Sequence, residues 1–175
     1  HFLFNALNNI YSLSLLKSDD APKMLSALSD ILRYFLYEGG KKSVFLESEI
    51  EIISKYIQIQ KYRQIPGMNN ITFTVSGNVS GKKVSPLLFM TLIENAFKHG
   101  DIIETKEGFV AIVFLISENK IEFEIANSYC EKEKNEGIGL KNIKAQLDIL
   151  LMNSYHMTID EKNKIYKVNL TINGN

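Results

Sequence analysis

Residues 86–100, PLLFMTLIENAFKHG, sort by type when wound into a helix. At about 100° per residue, Phe89, Leu92, Ile93, Ala96 and Phe97 share one arc. Thr91, Glu94, Asn95, Lys98 and His99 share the opposite arc. The polar arc gathers an amide oxygen, a carboxylate, an ammonium and an imidazole. An amide oxygen is a hard ligand suited to Mg²⁺, and Mg²⁺ usually binds together with substrate phosphates. A lysine one turn on contacts a phosphate as a compact point charge. That chemistry is a nucleotide-phosphate site, although the same pattern also describes a half-buried helix with a solvated polar face.

Three further groups carry possible chemistry. His1, Asn5, Asn8 and Ser12 fall at i, i+4, i+7 and i+11 and form one narrow polar stripe, while Phe2, Leu3, Ala6, Leu7, Ile10 and Leu13 fill the rest of that helix. A helix so widely apolar must pack on more than one side, as in a bundle, and a histidine on its open seam is accessible. Imidazole is a competent nucleophile near neutral pH; the plainer reading is a surface histidine. Gly137-Ile138-Gly139-Leu140 precedes a helical pattern. Its glycines let backbone N–H groups approach an anion at a helix N-terminus, or simply serve a loop-to-helix junction. Asn127 ends a regularly alternating strand, where an amide offers both a donor and an acceptor to a purine edge or else makes a turn.

The elements that must hold these residues change character along the chain. The first third is helical: His1–Leu16, then Lys23–Glu38 after the stop-and-restart signal Ser18–Pro22, then Phe45–Arg63. Ile71–Ser76 alternates as a half-buried strand and leads into the amphipathic helix of 86–100. Gly108–Ser117 and Lys120–Asn127 suit a hairpin, Gly137–Leu151 returns to helical spacing, and Met157–Asp160 with Tyr166–Ile172 form a closing hairpin. This order predicts an α+β fold, a mixed sheet with helices on one face, and a domain boundary near residues 40–46.

Composition narrows the function. Twenty Lys and Arg balance twenty Asp and Glu, which argues against a module that binds nucleic acid directly. The lone Cys130 rules out an internal disulfide framework, and with three scattered histidines a structural zinc site is not expected. No apolar run reaches membrane-spanning length. The chain opens at His1 inside a helical pattern without an initiator Met, and it is read as a fragment.

Taken together, these segments resemble a known family. HFLFNALNNI looks like the phosphoacceptor box of the LytS/YehU-type sensor histidine kinases. TLIENAFKHG resembles their Asn-containing nucleotide box, and GIGLKNIKAQLDIL their glycine box. The three occur in the family's order and spacing. The resemblance implies dimerisation and phosphotransfer helices over 1–43, pairing into a four-helix bundle, followed by a catalytic ATP-binding sandwich of the histidine kinase/gyrase type over 44–175. It implies His1 as phosphoacceptor with Asn5 one turn away to orient it, and Asn95 as the Mg²⁺ ligand beside Glu94. Lys98 and His99 would face the phosphates. Asn127 stands where many relatives have an adenine-reading Asp, and Gly137, Gly139, Leu140 and Asn142 would support the lid and phosphate approach.

Two departures concern the purine site: Asn127 replaces the usual Asp, and Ser128-Tyr129-Cys130 replaces the glycines that commonly follow it. A third is Phe2 after His1, where many other histidine kinases carry an acid. The implied activity is ATP-dependent autophosphorylation of His1 and transfer to an aspartate of a response regulator, a DNA-binding one by family. A hinge is expected near Gly39–Ser43. The other readings are a degenerate nucleotide-binding dimeric scaffold and an ATPase of the same fold. A homodimer is expected. The resemblance also implies the cytoplasmic portion of an inner-membrane sensor, with membrane attachment only through an upstream segment absent here.

Overall fold

The computed structural model describes residues 2–62, 70–101, 107–129, 145, 147–148, 151 and 154–173. Its contacts divide the chain into two compact units, residues 1–67 with 81–87 and residues 68–80 with 88–175.

The first unit is built on helices. α1 spans Phe2–Leu15, α2 Asp20–Tyr37 and α3 Leu46–Lys61. Lys17 takes a left-handed φ of 52° and closes α1, with the Ser18 N–H donating to the Leu13 carbonyl at 3.0 Å. Ser18 Oγ then accepts the Asp20 N–H at 3.3 Å and opens α2. The sequence pattern starts this helix at Lys23. It starts at Asp20 because Pro22 falls in the first turn, where its missing N–H has no intrahelical partner to lose.

Packing between α2 and α3 buries Met24, Leu28 and Ile31 of one helix and Ile53, Tyr56 and Ile57 of the other. Lys55 Nζ donates to Asp30 at 2.8 Å across the pair. The Tyr34 hydroxyl donates to the buried Glu49 carboxylate at 2.6 Å. Two short strands, β1 (Val44–Phe45) and β3 (Lys83–Val84), pair antiparallel beside α3. At two residues each they show no readable alternation, and the sequence pattern does not reveal them. Residues 40–46 join α2 to α3, and α3 buries its apolar side against α2, so both helices belong to the first unit. Gly39–Ser43, the expected hinge, accordingly lies inside the first unit.

The second unit is a sheet covered on one face. Its strands are β2 (Ile71–Gly77), β4 (Val110–Ser117), β5 (Lys120–Ser128), β6 (Tyr155–Lys162) and β7 (Ile165–Asn173). They lie in the order β2-β4-β5-β7-β6. β2 runs parallel to β4, and the other pairings are antiparallel. A parallel neighbour demands a crossover, and the chain between β2 and β4 carries α4 (Leu88–His99). Val110, Ile112, Phe114, Phe123, Ile125, Val168 and Leu170 alternate onto the buried face. Glu122, Glu124 and Lys167 line the other, where Lys167 pairs with Glu124 at 2.7 Å. Ile71–Ser76, both hairpins and the helix of 86–100 thus match the expected elements, and the α+β class holds. The expected helix of Gly137–Leu151 is described only at residues 145, 147, 148 and 151, which are helical, with Leu147 fully buried.

Candidate nucleotide site

The rotation of α4 about its axis is set by aromatic packing. Phe89 is fully buried, with its ring centroid 4.9 Å from Phe114 and 5.0 Å from Phe123. Leu92, Ile93 and Ala96 are buried with it, and Phe97 is half-buried. The opposite arc therefore turns away from the sheet core. Thr91, Glu94 and Asn95 are half-buried there, and Lys98 and His99 are exposed. Burial pushes the Glu94 carboxyl above its ordinary range. Partial burial, and secondarily the Lys98 charge, pushes the His99 imidazole below its ordinary range.

The C-terminal end of α4 is fastened to the end of β5. The Gly100 N–H continues the helix by donating to the Ala96 carbonyl at 2.8 Å. The Asp101 N–H donates to the Ser128 carbonyl at 3.2 Å. The Ser128 hydroxyl donates to the Asp101 carboxylate and accepts the Phe109 N–H at 2.8 Å. Asn127, 2% exposed, donates from Nδ2 to the Ser128 carbonyl at 3.0 Å. Gly100 leaves room for this junction, because a Cβ there would stand 2.6 Å from the Ala96 carbonyl oxygen and 3.5 Å from Asn127 Nδ2. The junction places Asn127 at the end of the helix that carries Lys98 and His99.

Sequence reasoning missed Asp101, Ser128 and Tyr166. The first two follow directly on motif residues His99-Gly100 and Asn127, which is the signal that was available. Tyr166 has none, because its place depends on strand register. It stands opposite Asn127 in the ladder between β5 and β7. Its hydroxyl is buried without a hydrogen-bond partner among the described residues, a state that costs about 1–3 kcal/mol. Burial, then the Glu161 carboxylate, pushes that hydroxyl up to about 12.

Asn5 is half-buried on α1 in the first unit. His1, Gly137, Gly139, Leu140 and Asn142 lie outside the described residues.

The donor set fits a phosphate-bound Mg²⁺ better than a protein cage. Among the described residues no three His, Cys, Asp or Glu side chains group closely enough to hold a metal ion. Asn95 and Glu94 offer hard oxygens on one arc, and Mg²⁺ characteristically takes one or two protein oxygens and fills its shell with phosphate and water.

The fold is similar to that of solved histidine kinases. The structure of the histidine kinase AdeS from Acinetobacter baumannii matches with a TM-score of 0.54 at 12% identity, over 93% of this chain and 83% of that one. The catalytic domain of histidine kinase ThkA matches with 0.53 at 12% identity, over 75% of this chain and 95% of that one. At such identities the likeness speaks for fold alone. The sequence is more particular. Residues 1–66 match the histidine kinase family. The sensor protein LytS of Staphylococcus saprophyticus is 27% identical over 98% of this chain. The resemblance to the LytS-type sensor histidine kinases is therefore real and runs nearly the length of the chain. The chain spans 32% of that relative's length.

Proposed function

We propose that the chain is the phosphotransfer and catalytic portion of a sensor histidine kinase. It binds Mg-ATP at the polar arc of α4, phosphorylates His1, and passes the phosphoryl group to an aspartate of a response regulator. The observation that carries this reading is the arc itself. Glu94 and Asn95 are half-buried on the side of α4 opposite the sheet, and the same helix ends at Asn127. Bound Mg²⁺ would neutralise phosphate charge. Asn95 would present its amide oxygen to the ion, and Lys98 would stabilise the phosphate oxygens. His99, largely neutral at pH 7 because its pKa is lowered, would act there as a hydrogen-bonding group rather than as a second cation. Asn127 would read the purine. Gly137, Gly139 and Leu140, with Asn142 nearby, would support the lid and the phosphate approach.

The demand on the protein is positioning and charge stabilisation, as in other phosphoryl transfers. The His1 imidazole nitrogen forms its bond to the γ-phosphorus as the bond to the ADP oxygen breaks, and the imidazole proton passes to solvent. Asn5, one turn along α1, would orient the ring. The helices of 1–43 would form the dimer and carry the phosphoacceptor, leaving the nucleotide work to the remainder. Membrane attachment belongs, in this reading, to other segments of a longer sensor.

Incubation with γ-labelled ATP tests the proposal. Acid-labile, base-stable label on the protein is expected, and it is expected to vanish in His1→Gln. Full labelling of His1→Gln would overturn it.

Asn127 favours a second reading. With one amide hydrogen committed to Ser128 and no acid to accept an adenine amino group, the purine contact is weaker than a carboxylate would give. A nucleotide-binding dimeric scaffold without phosphotransfer fits that change, as does an ATPase of the same fold. Calorimetry with Mg-ATP, together with phosphate release, separates them. The scaffold binds without release or labelling, and the ATPase releases phosphate without labelling. In every one of these readings Asn95→Ala is expected to weaken Mg-ATP binding at least tenfold.

A further inference from the structure

Tyr166 stands directly opposite Asn127 across the ladder of β5 and β7. It falls at the even positions of β7, in step with Val168, Leu170 and Ile172, which are buried. Strand alternation therefore puts the phenol on the same side of the sheet as the amide. Residues directly opposed on one face have Cβ atoms about 4.5–5.5 Å apart. The two polar groups are neighbours, yet they make different use of the protein. The Asn127 amide gives a hydrogen to the Ser128 carbonyl at 3.0 Å, which fixes its orientation and leaves its carbonyl oxygen to accept. The Tyr166 hydroxyl is buried and bonds to nothing among the described residues. Glu161 lies opposite Tyr166 on its other side, but its carboxylate accepts instead from the Tyr129 hydroxyl at 2.7 Å. A buried donor left open beside a fixed acceptor is costly in the empty protein, and a bound group that supplies the missing acceptor removes that cost.

We propose that Tyr166 is a specificity-determining residue of the nucleotide site, its hydroxyl donating to a ring nitrogen of the purine beside the exocyclic group that Asn127 reads. The proposal rests on the assignment of Asn127 to the purine. An accepting carbonyl next to a donating hydroxyl matches adenine, which presents an amino group beside a ring nitrogen acceptor. Guanine presents a carbonyl oxygen where adenine has the amino group, so two acceptors would face each other there. The pair therefore selects adenine nucleotides over guanine nucleotides.

Titration calorimetry with Mg-ATP and Mg-GTP on the wild-type chain, Tyr166→Phe and Asn127→Ala tests this, with thermal melts of each protein alone. The wild type is expected to prefer ATP. Tyr166→Phe is expected to weaken ATP about 3–10-fold, the range for one lost hydrogen bond, and to change GTP less. Without nucleotide it is expected to melt at the same or a higher temperature, because the substitution removes an unsatisfied hydroxyl. Unchanged ATP affinity in Tyr166→Phe overturns the proposal. So does an equal loss for ATP and GTP with a lowered melting temperature, which assigns Tyr166 to the fold. If Asn127→Ala weakens ATP binding in either case, the purine reading of Asn127 survives. If neither substitution alters ATP binding, or the wild type binds no ATP, both fall together.

Discussion

At the scale of single residues, the candidate site combines charges held in place with charges left free. Lys98 is exposed at the last turn of α4, where a cation also suits the negative end of the helix dipole. In the proposed site, removing it would take away a phosphate contact without opening a cavity. Lys98→Ala is expected to weaken ATP about fivefold or more and to leave adenosine binding unchanged, which calorimetry with the two ligands would show. Equal effects on both ligands would separate Lys98 from the phosphates. His99 carries the complementary prediction. Its lowered pKa means that an NMR titration of its ring should give a midpoint below 6.5.

At the scale of elements, α3 is organised around one buried carboxylate. Glu49 is 1% exposed, and its Oε1 accepts both the Tyr34 hydroxyl at 2.6 Å and the Leu87 N–H at 2.8 Å. Its Oε2 is buried without a hydrogen-bond partner among the described residues. Leu87 adopts a left-handed φ of 61°, uncommon for a non-glycine residue, and Glu49 bonds the N–H of that same residue. Burial pushes the Glu49 carboxyl above its ordinary 4.5, against the hydrogen bonds that favour its charged form. For an acid whose folded pKa is raised, the native state holds more protons than the unfolded state between the two pKa values. Stability is then greatest below the unfolded value and falls as pH rises through the folded one. Denaturant melts across pH are expected to show that decline in the wild type and a flatter profile in Glu49→Gln, which keeps the accepting carbonyl. Glu49→Ala removes the acceptor of the buried Tyr34 hydroxyl and of the part-buried Leu87 N–H and is expected to cost about 3 kcal/mol.

At the scale of the whole molecule, two surfaces need opposite explanations. The inner face of the sheet is closed by aromatic rings, with Phe114 4.9 Å from both Phe89 and Phe123 and 6.3 Å from Phe73. Phe114→Ala is expected to cost about 3–5 kcal/mol in the unfolding of that unit. The outer sides of α1 and α2 are uncovered. Phe4, Tyr11 and Leu15 on α1, and Leu36 and Tyr37 on α2, are 65–81% exposed. So much aromatic and aliphatic surface on two adjacent helices suits pairing with a second copy into a four-helix bundle. Light scattering is expected to give a dimer, and Phe4→Glu with Leu36→Glu a monomer whose melting temperature is little changed. A wild-type monomer at high concentration would count against the dimer.

The sequence by itself determined the division of α4 into a buried and a polar arc, because helical angle follows from spacing alone. It determined the strand alternation and the order of the family motifs for the same reason. Only the tertiary structure decided which residues those elements bring together. Asn127 meets Tyr166 because β7, not a sequence neighbour, pairs with β5. Register is a long-range property that a one-residue slip would reverse. Ser128 fastens Asp101 only once β5 and the end of α4 have met. α3 joins the helices rather than the sheet because its apolar side and Glu49 find their partners in α2 and at Leu87. Spacing along the chain records which side of an element is apolar, but not what that side is packed against.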